Sequence, residues 1–411
     1  MLGSPKNLRT HIGLFGRRNV GKSSLLNALV STPVSLVSAE PGTTTDPVEK
    51  PMELLPIGPV LFIDTAGIDD YGALGELRVG RTRQVLDRVD IGVVVSVGGE
   101  WGPFERDLVA ELQRRQVPVV AVLAQVDAVP ADPQLLTDLH AQGLNPVAVS
   151  ALHHHGLHEL RLALQTAAGQ ELAERPLLAD LVPPGKVCVL VVPVDKEAPK
   201  GRLILPQAQA ARDLLDHGAI GLVVQDRELP LALAALREPP ALVVTDSQAF
   251  GTVAQMVPPE VPLTSFSIVF ARFEGDLPAM AKGALALDRL QPGDAVLLAE
   301  QCTHHPNDDD IARVKIPRWL DQKVGGPLRY EYLRGHQFPD DIGPYKVILH
   351  CGNCTGNRRE LLARQRAAAR QGVALTNFGV AIAHLKGILD RALAPFPQAL
   401  QAVQQARQEQ A

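Results

Sequence analysis

Apolar residues across positions 11–170 fall in short β-branched runs: HIGLFG, VLFIDTAG, IGVVVSVG, VPVVAVLAQVD and NPVAVSAL. Each run is followed by a stretch with helical spacing. That alternation predicts a mostly parallel sheet covered by helices on both faces. A proline-bearing segment, ERPLLADLVPPG (174–185), predicts a linker. A second alternation spans about 186–265, with strands KVCVLVVPVD, AIGLVVQD, PALVVTD and PLTSFSI. The amphipathic stretches AQAARDLLDHG and PLALAALRE lie between them. Here Pro199-Lys200-Gly201-Arg202 reads as a turn. The run LILP after it reads either as an edge strand able to pair with a second copy or as an internal strand. A third alternation covers about 266–395. Its helical stretch LPAMAKGALALDRL precedes the turn QPGD and the strand AVLLAE. A later strand, YKVILH, leads to the helix RRELLARQRAAARQG, which stops at a glycine. The polar tail QALQAVQQARQEQA reads as a frayed helix.

The first strand runs into Gly16-Arg17-Arg18-Asn19-Val20-Gly21-Lys22-Ser23, a full G-x-x-x-x-G-K-S loop ahead of the helical run SSLLNALV. In such a loop backbone N–H groups wrap phosphates, Lys22 reaches the β- and γ-phosphates, and the Ser23 hydroxyl binds Mg²⁺. Ser24 follows within the same turn. Thr43-Thr44-Thr45 lies in a Gly/Pro-flanked loop suited to closing on Mg²⁺ (through Thr45) and the γ-phosphate. Asp64-Thr65-Ala66-Gly67 follows the strand VLFI; Asp64 is placed to hold the metal through water, and the Gly67 N–H to sense the γ-phosphate. The expected fold class is therefore α/β: a P-loop domain with a parallel sheet over 1–172, a linker over 173–185, and two smaller α/β domains over 186–265 and 266–411.

Order and spacing match the GTPases over about the first 165 residues. Through NVGKSSLLNAL, PGTTTDP and DTAG the segment resembles the TrmE–Era branch. The resemblance implies GTP hydrolysis with no catalytic glutamine after DTAG, where Ile68 stands. It also implies a role for Asn19 in holding an activating K⁺, which would supply transition-state charge; a loop residue that only caps backbone groups is the competing reading of Asn19. One departure stands out. The base-reading motif, usually Asn-Lys-x-Asp, is Ala124-Gln125-Val126-Asp127. Asp127 remains to accept from guanine, and Ser150-Ala151 matches the last base-contacting loop. Guanine preference is expected to persist with weakened affinity. His153, His154, His155 and His158 follow this loop and read as solvated.

Composition narrows the classes. The 411 residues exceed one ordinary core, and 46% hydrophobic with 21% charged residues fits a globular protein. A net charge of −5 and 4% aromatics argue against a nucleic-acid partner. No apolar run is long enough to span a bilayer and no signal peptide is seen, so a cytoplasmic location away from membranes is expected. Four cysteines in a chain of this size do not form a disulfide framework.

Three of those cysteines cluster late, in Cys302-Thr303-His304 and His350-Cys351-Gly352-Asn353-Cys354. Both groups follow predicted strands, where open α/β sheets place their sites. Thiolates with imidazoles form a soft ligand set that admits zinc, a redox dithiol or an iron–sulfur cluster. Cys188, inside VCVLVV, reads as core. With PKGRLILPQ in the middle domain, NRREL after Cys354 and TNFGVAIAHLKGIL at 376–389, the chain resembles the FeFe-hydrogenase maturation GTPases of the HydF family along nearly its whole length. The resemblance implies a 4Fe–4S cluster on Cys302, Cys351 and Cys354, with His304 or His350 near an exchangeable fourth position. It implies a homodimer through the middle domain. It further implies carriage of a transient di-iron precursor made by radical-SAM maturases and passed to apo FeFe-hydrogenase. A ribosome- or RNA-associated GTPase with structural zinc is the alternative from a different class.

Overall fold

The computed structural model describes residues 6–30, 48–55, 57–65, 84–169, 176–194, 203–301 and 310–410. The chain divides into two units, Met1–Arg175 and Pro176–Ala411.

In the first unit the apolar runs form β1 (Thr10–Phe15), β3 (Gly58–Asp64), β4 (Ile91–Val97), β5 (Val119–Ala124) and β6 (Val147–Val149), all parallel, with β2 (Val48–Leu54) antiparallel at one edge. The order is β2-β3-β1-β4-β5-β6. The two-residue period of a strand splits each run between two cores. Ile12, Leu14, Val60, Phe62, Val93, Val95, Val120 and Val122 pack on one face with Leu25 and Leu29 of helix Lys22–Val30 and Leu160 and Leu164 of helix Leu157–Ala168. Phe15, Leu61, Ile63, Val94, Ala121 and Leu123 pack on the other with helices Pro103–Arg114 and Pro133–Ala141. Burial on both faces explains why these strands read as unbroken apolar runs.

The second unit holds two parallel four-stranded sheets. One comprises β7 (Val187–Val191), β8 (Ile220–Val224), β9 (Leu242–Thr245) and β10 (Leu263–Ser265) in the order β10-β9-β7-β8. The other comprises β11 (Ala295–Glu300), β12 (Arg329–Arg334), β13 (Val347–His350) and β14 (Ala374–Asn377) in the order β12-β11-β13-β14. A single apolar core runs from Cys188, Leu190 and Val244 through helix Phe266–Glu274 to Leu297, Ala299 and Ile348. The two predicted domains therefore share one core. Their expected boundary, 265/266, falls where β10 passes directly into that helix, with Ser265 as its N-cap.

Three further expectations change. From position 176 onward the predicted linker belongs to the second unit. Leu177, Leu178 and Val182 are buried in its core, and the Asp213 carboxylate accepts the backbone N–H groups of Leu177, Leu178 and Ala179. The LILP run is not a strand: Leu203 and Ile204 lead into helix Leu205–Asp216, where Pro206 occupies an early position that needs no N–H donor. The polar tail is not frayed either. It forms helix Pro397–Gln410, and Ala399, Val403 and Ala406 dock into the same core. Among the described residues no helix is long and apolar enough to cross a membrane.

Candidate functional site

The phosphate loop joins β1 to helix Lys22–Val30 as predicted. Its glycines are required sterically. Gly16 has φ +150°, and a Cβ there would lie 2.3 Å from the Val95 carbonyl oxygen; Gly21 has φ +96°. Asn19, at φ 63°, takes the left-handed conformation that asparagine tolerates better than most residues. The buried Lys22 Nζ donates to the carbonyls of Gly16 and Arg17, each at 2.7 Å, which places its ammonium inside the loop. Ser23 Oγ donates to Asp64 Oδ2 at 2.8 Å, so the end of β3 meets the start of the helix where a divalent cation would bridge them. Thr65 is buried and turns inward, its hydroxyl donating to the Leu14 carbonyl at 2.6 Å; this is a structural bond between β1 and the Asp64 loop. Val20 is buried in the core, whereas Arg18 and Ser24 are exposed.

Two side chains hold this loop that sequence reading missed. Arg17 Nη2 donates to Glu105 Oε2 at 2.9 Å, with Glu105 fully buried and the guanidinium over the Phe104 ring. Gln125 Nε2 donates to the Asn19 carbonyl at 2.9 Å and lies against Gly21. Gln125 stands where the base-reading motif departs from Asn-Lys-x-Asp. Both contacts join residues far apart in sequence, so no local spacing announces them. Asp127 hydrogen-bonds the Ser150 hydroxyl, which holds its carboxyl below the usual range as an ionised acceptor. Ser150 is itself fixed by paired backbone bonds with His155, and Ala151 follows, partly buried. Thr43, Thr44, Thr45, Ala66, Gly67 and Ile68 lie outside the described residues.

In the second unit β11 and β13 are adjacent and parallel, with Ala299 paired to His350. The Cys351–Cys354 turn therefore begins one strand away from Gln301, the residue before Cys302. The Gln301 N–H donates to Cys351 Sγ at 3.2 Å. The backbone of Asn353, held at φ 60°, gives Cys351 a second bond. Burial pushes the Cys351 thiol up while these N–H groups pull the other way. Donors aimed at a partly buried sulfur suit a thiolate, and a cation is what would draw off its proton. Asn353 Nδ2 donates to the Asn357 carbonyl at 3.0 Å, and Asn357 caps helix Arg358–Arg370. Cys354 packs partly buried against the core. These residues fit a soft metal or an iron–sulfur cluster. Cys302 and His304 lie outside the described residues, and among the described ones no group of three His, Cys, Asp or Glu converges on a metal position.

His350 is hydrogen-bonded at both ring nitrogens. It is fully buried, its Nε2 lies 2.9 Å from Arg364 Nη1, and its Nδ1 lies 2.9 Å from the Cys351 carbonyl. A guanidinium only donates, so Nε2 accepts and Nδ1 carries the proton. Both ring nitrogens are engaged, leaving no lone pair for a metal. Cys188 is buried in β7, where burial pushes its thiol up to about 12, in agreement with a core role.

Three family models match the chain: a 50S ribosome-binding GTPase over 11–125, a hydrogen maturase F dimerization domain over 177–275 and a hydrogen maturase F tetramerization domain over 278–395. The GTPase Der of Rhizobium johnstonii is 34% identical over 168 residues, covering 39% of this chain and 35% of its own. The tRNA modification GTPase MnmE of Bordetella avium is 32% identical over 230 residues, covering 55% and 44% respectively. The GTPase Der of Wolinella succinogenes is 43% identical over 95 residues, covering 22% and 20%. The chain thus spans less than half the length of each of these relatives. Because the two hydrogen maturase F models together take in more than half of the chain, behind a P-loop GTPase domain, the protein belongs to the HydF-type hydrogenase-maturation GTPases.

Proposed function

We propose that the protein is a GTP-hydrolysing scaffold that carries a 4Fe–4S cluster and conveys the di-iron precursor of FeFe-hydrogenase from radical-SAM maturases to the apo-enzyme in the cytoplasm. The observation that carries the cluster reading is the Cys351 turn, where a partly buried thiol receives two backbone N–H groups beside the strand that leads to Cys302. Cys302, Cys351 and Cys354 would hold the cluster. Three thiolates leave one iron for another ligand, and the bonding of His350 leaves His304 or an exogenous group for that place.

In the nucleotide site, bound Mg²⁺ would offset the charge that develops on the transferring phosphoryl group. Ser23, Asp64 and Thr45 would hold it. Lys22 would exchange its carbonyl partners for phosphate oxygens. Asn19 would hold K⁺, which would add positive charge in the transition state, and Asp127 would read guanine. The middle domain would join two copies through the edge of β8, which among the described residues pairs only with β7 and where Ile220 and Val223 are about half exposed.

Anaerobic purification tests this reading. The protein is expected to be brown, to contain iron with acid-labile sulfide, and to give an iron–sulfur EPR signal on reduction. Colourless protein with one tightly held zinc overturns it in favour of a structural zinc site.

A further inference from the structure

Beneath the cysteine turn the hydrogen bonds close on themselves. The Cys351 carbonyl accepts from His350 Nδ1 at 2.9 Å. His350 Nε2 accepts from Arg364 Nη1 at 2.9 Å, and Arg364 Nη2 donates to Glu360 Oε1 at 2.9 Å. Glu360 Oε2 accepts from Gln301 Nε2 at 2.7 Å, and the Gln301 backbone N–H returns to Cys351 Sγ at 3.2 Å. Gln301, His350, Glu360 and Arg364 are each at most 5% exposed, and Cys351 is partly buried. His336 flanks the circuit, with Nδ1 3.0 Å from Glu360 Oε2, and the Arg364 guanidinium lies over the Phe338 ring while donating also to the Gly335 carbonyl at 2.7 Å.

The circuit spans three elements. Gln301 follows β11, His350 ends β13, and Glu360 and Arg364 sit one helical turn apart on Arg358–Arg370. Nothing in secondary structure alone requires these side chains to meet. A buried Arg–Glu pair adds little net stability over a well-packed apolar pair, because desolvating two charges offsets most of their attraction. What the arrangement does fix is geometry: it bonds both the carbonyl and the sulfur of one cysteine. Groups that hold metal ligands from behind act in this way.

We propose that His350, Arg364, Glu360 and Gln301 are positioning residues that set Cys351 for metal before the metal arrives, and that His350 is not a ligand. This rests on the reading of the three cysteines as a metal site. Removing any member opens the circuit, so the members are expected to fail as a unit rather than additively.

The test uses the full chain under anaerobic conditions. Apo-protein is titrated with Co²⁺ and read by its thiolate-to-cobalt absorption; the iron-loaded, reduced protein is read by pulsed EPR for nitrogen coupling. His350→Phe breaks the circuit at one point. Glu360→Gln with Arg364→Gln breaks it at another without leaving one buried charge unpaired. Each is expected to weaken Co²⁺ binding at least 10-fold, the usual scale for groups behind a metal ligand. The combined triple variant is expected to be no weaker than the worse of the two. Nitrogen coupling is expected to be unchanged by His350→Phe. A coupling lost in His350→Phe alone overturns the proposal in favour of a ligand, as do penalties that add or a lowered melting temperature with unchanged Co²⁺ affinity. An unaltered parent that takes up neither Co²⁺ nor iron refutes the metal-site reading itself, an outcome separate from failure of the circuit.

Discussion

At the scale of single residues, the nucleotide loop was legible because its chemistry is contiguous. Eight neighbouring positions carry the glycines, the lysine and the hydroxyl, and the structure sets them between a strand and a helix as that spacing requires. The departure at Ala124-Gln125 was harder to interpret, since its consequence depends on a contact 106 residues away. Loss of the usual asparagine and lysine led to an expectation of weakened guanine-nucleotide affinity. In the structure Gln125 bonds the Asn19 carbonyl, and does so from a left-handed φ of 56° that a non-glycine residue adopts only under local constraint. A neutral hydrogen bond of this kind contributes about 1 kcal/mol net, or roughly fivefold in affinity. Gln125→Met is therefore expected to weaken GTP and GDP alike by about fivefold, whereas Gln125→Lys, which keeps a donor at the end of a flexible chain, should stay near the parent. Equilibrium binding of a fluorescent guanine nucleotide checks both, and an unchanged Gln125→Met would remove the bracing role. The bonding of His350 was hidden for the same reason as that of Gln125: its partner Arg364 is 14 positions away.

At the scale of elements, strands buried on both faces were the readable ones. The missed strands sit at sheet edges. β2 (VEKPMEL) carries two carboxylates, a lysine and a proline, and β12 (RYEYLR) alternates charged and aromatic residues. An edge strand needs little apolar content, and charges there protect it from unwanted pairing. The edges β6, β10 and β14 lack charge as well, but they are buried or partly buried; β8 (IGLVV) is the uncharged edge that leaves large apolar residues, Ile220 and Val223, exposed. The expectation of a pairing edge near 201–205 thus moves to β8, since Leu205 opens a helix. An uncharged apolar edge is a template for another strand, and a second copy offers the same strand in a self-complementary way. Val223→Lys should convert the dimer to a monomer in sedimentation velocity while the thermal midpoint stays close to the parent's. A dimer that persists would place the interface elsewhere.

At the scale of the whole molecule, strand–helix alternation fixed the class of every segment but not how the segments share cores. Leu297, Ala299 and Ile348 of the last sheet bury against the same cluster as Leu190 and Val244 of the middle sheet, and no periodicity within either stretch encodes that. The first unit, by contrast, has cores made from its own strands and helices. Its nucleotide loop and the cysteine turn thus belong to different units, and each is expected to keep its local geometry when the other's chemistry is removed. Lys22→Ala is the direct test. It deletes the ammonium that would meet the β- and γ-phosphates and that donates to two loop carbonyls. GTP turnover is expected to fall to background, because charge stabilisation in the transition state is lost along with phosphate binding. Iron and sulfide content per chain should match the parent, and so should the EPR signal of the reduced protein. If iron falls together with turnover, nucleotide binding is a condition for assembling the cysteine site, and the chain acts as one cooperative machine instead of a nucleotide switch joined to an independent metal carrier.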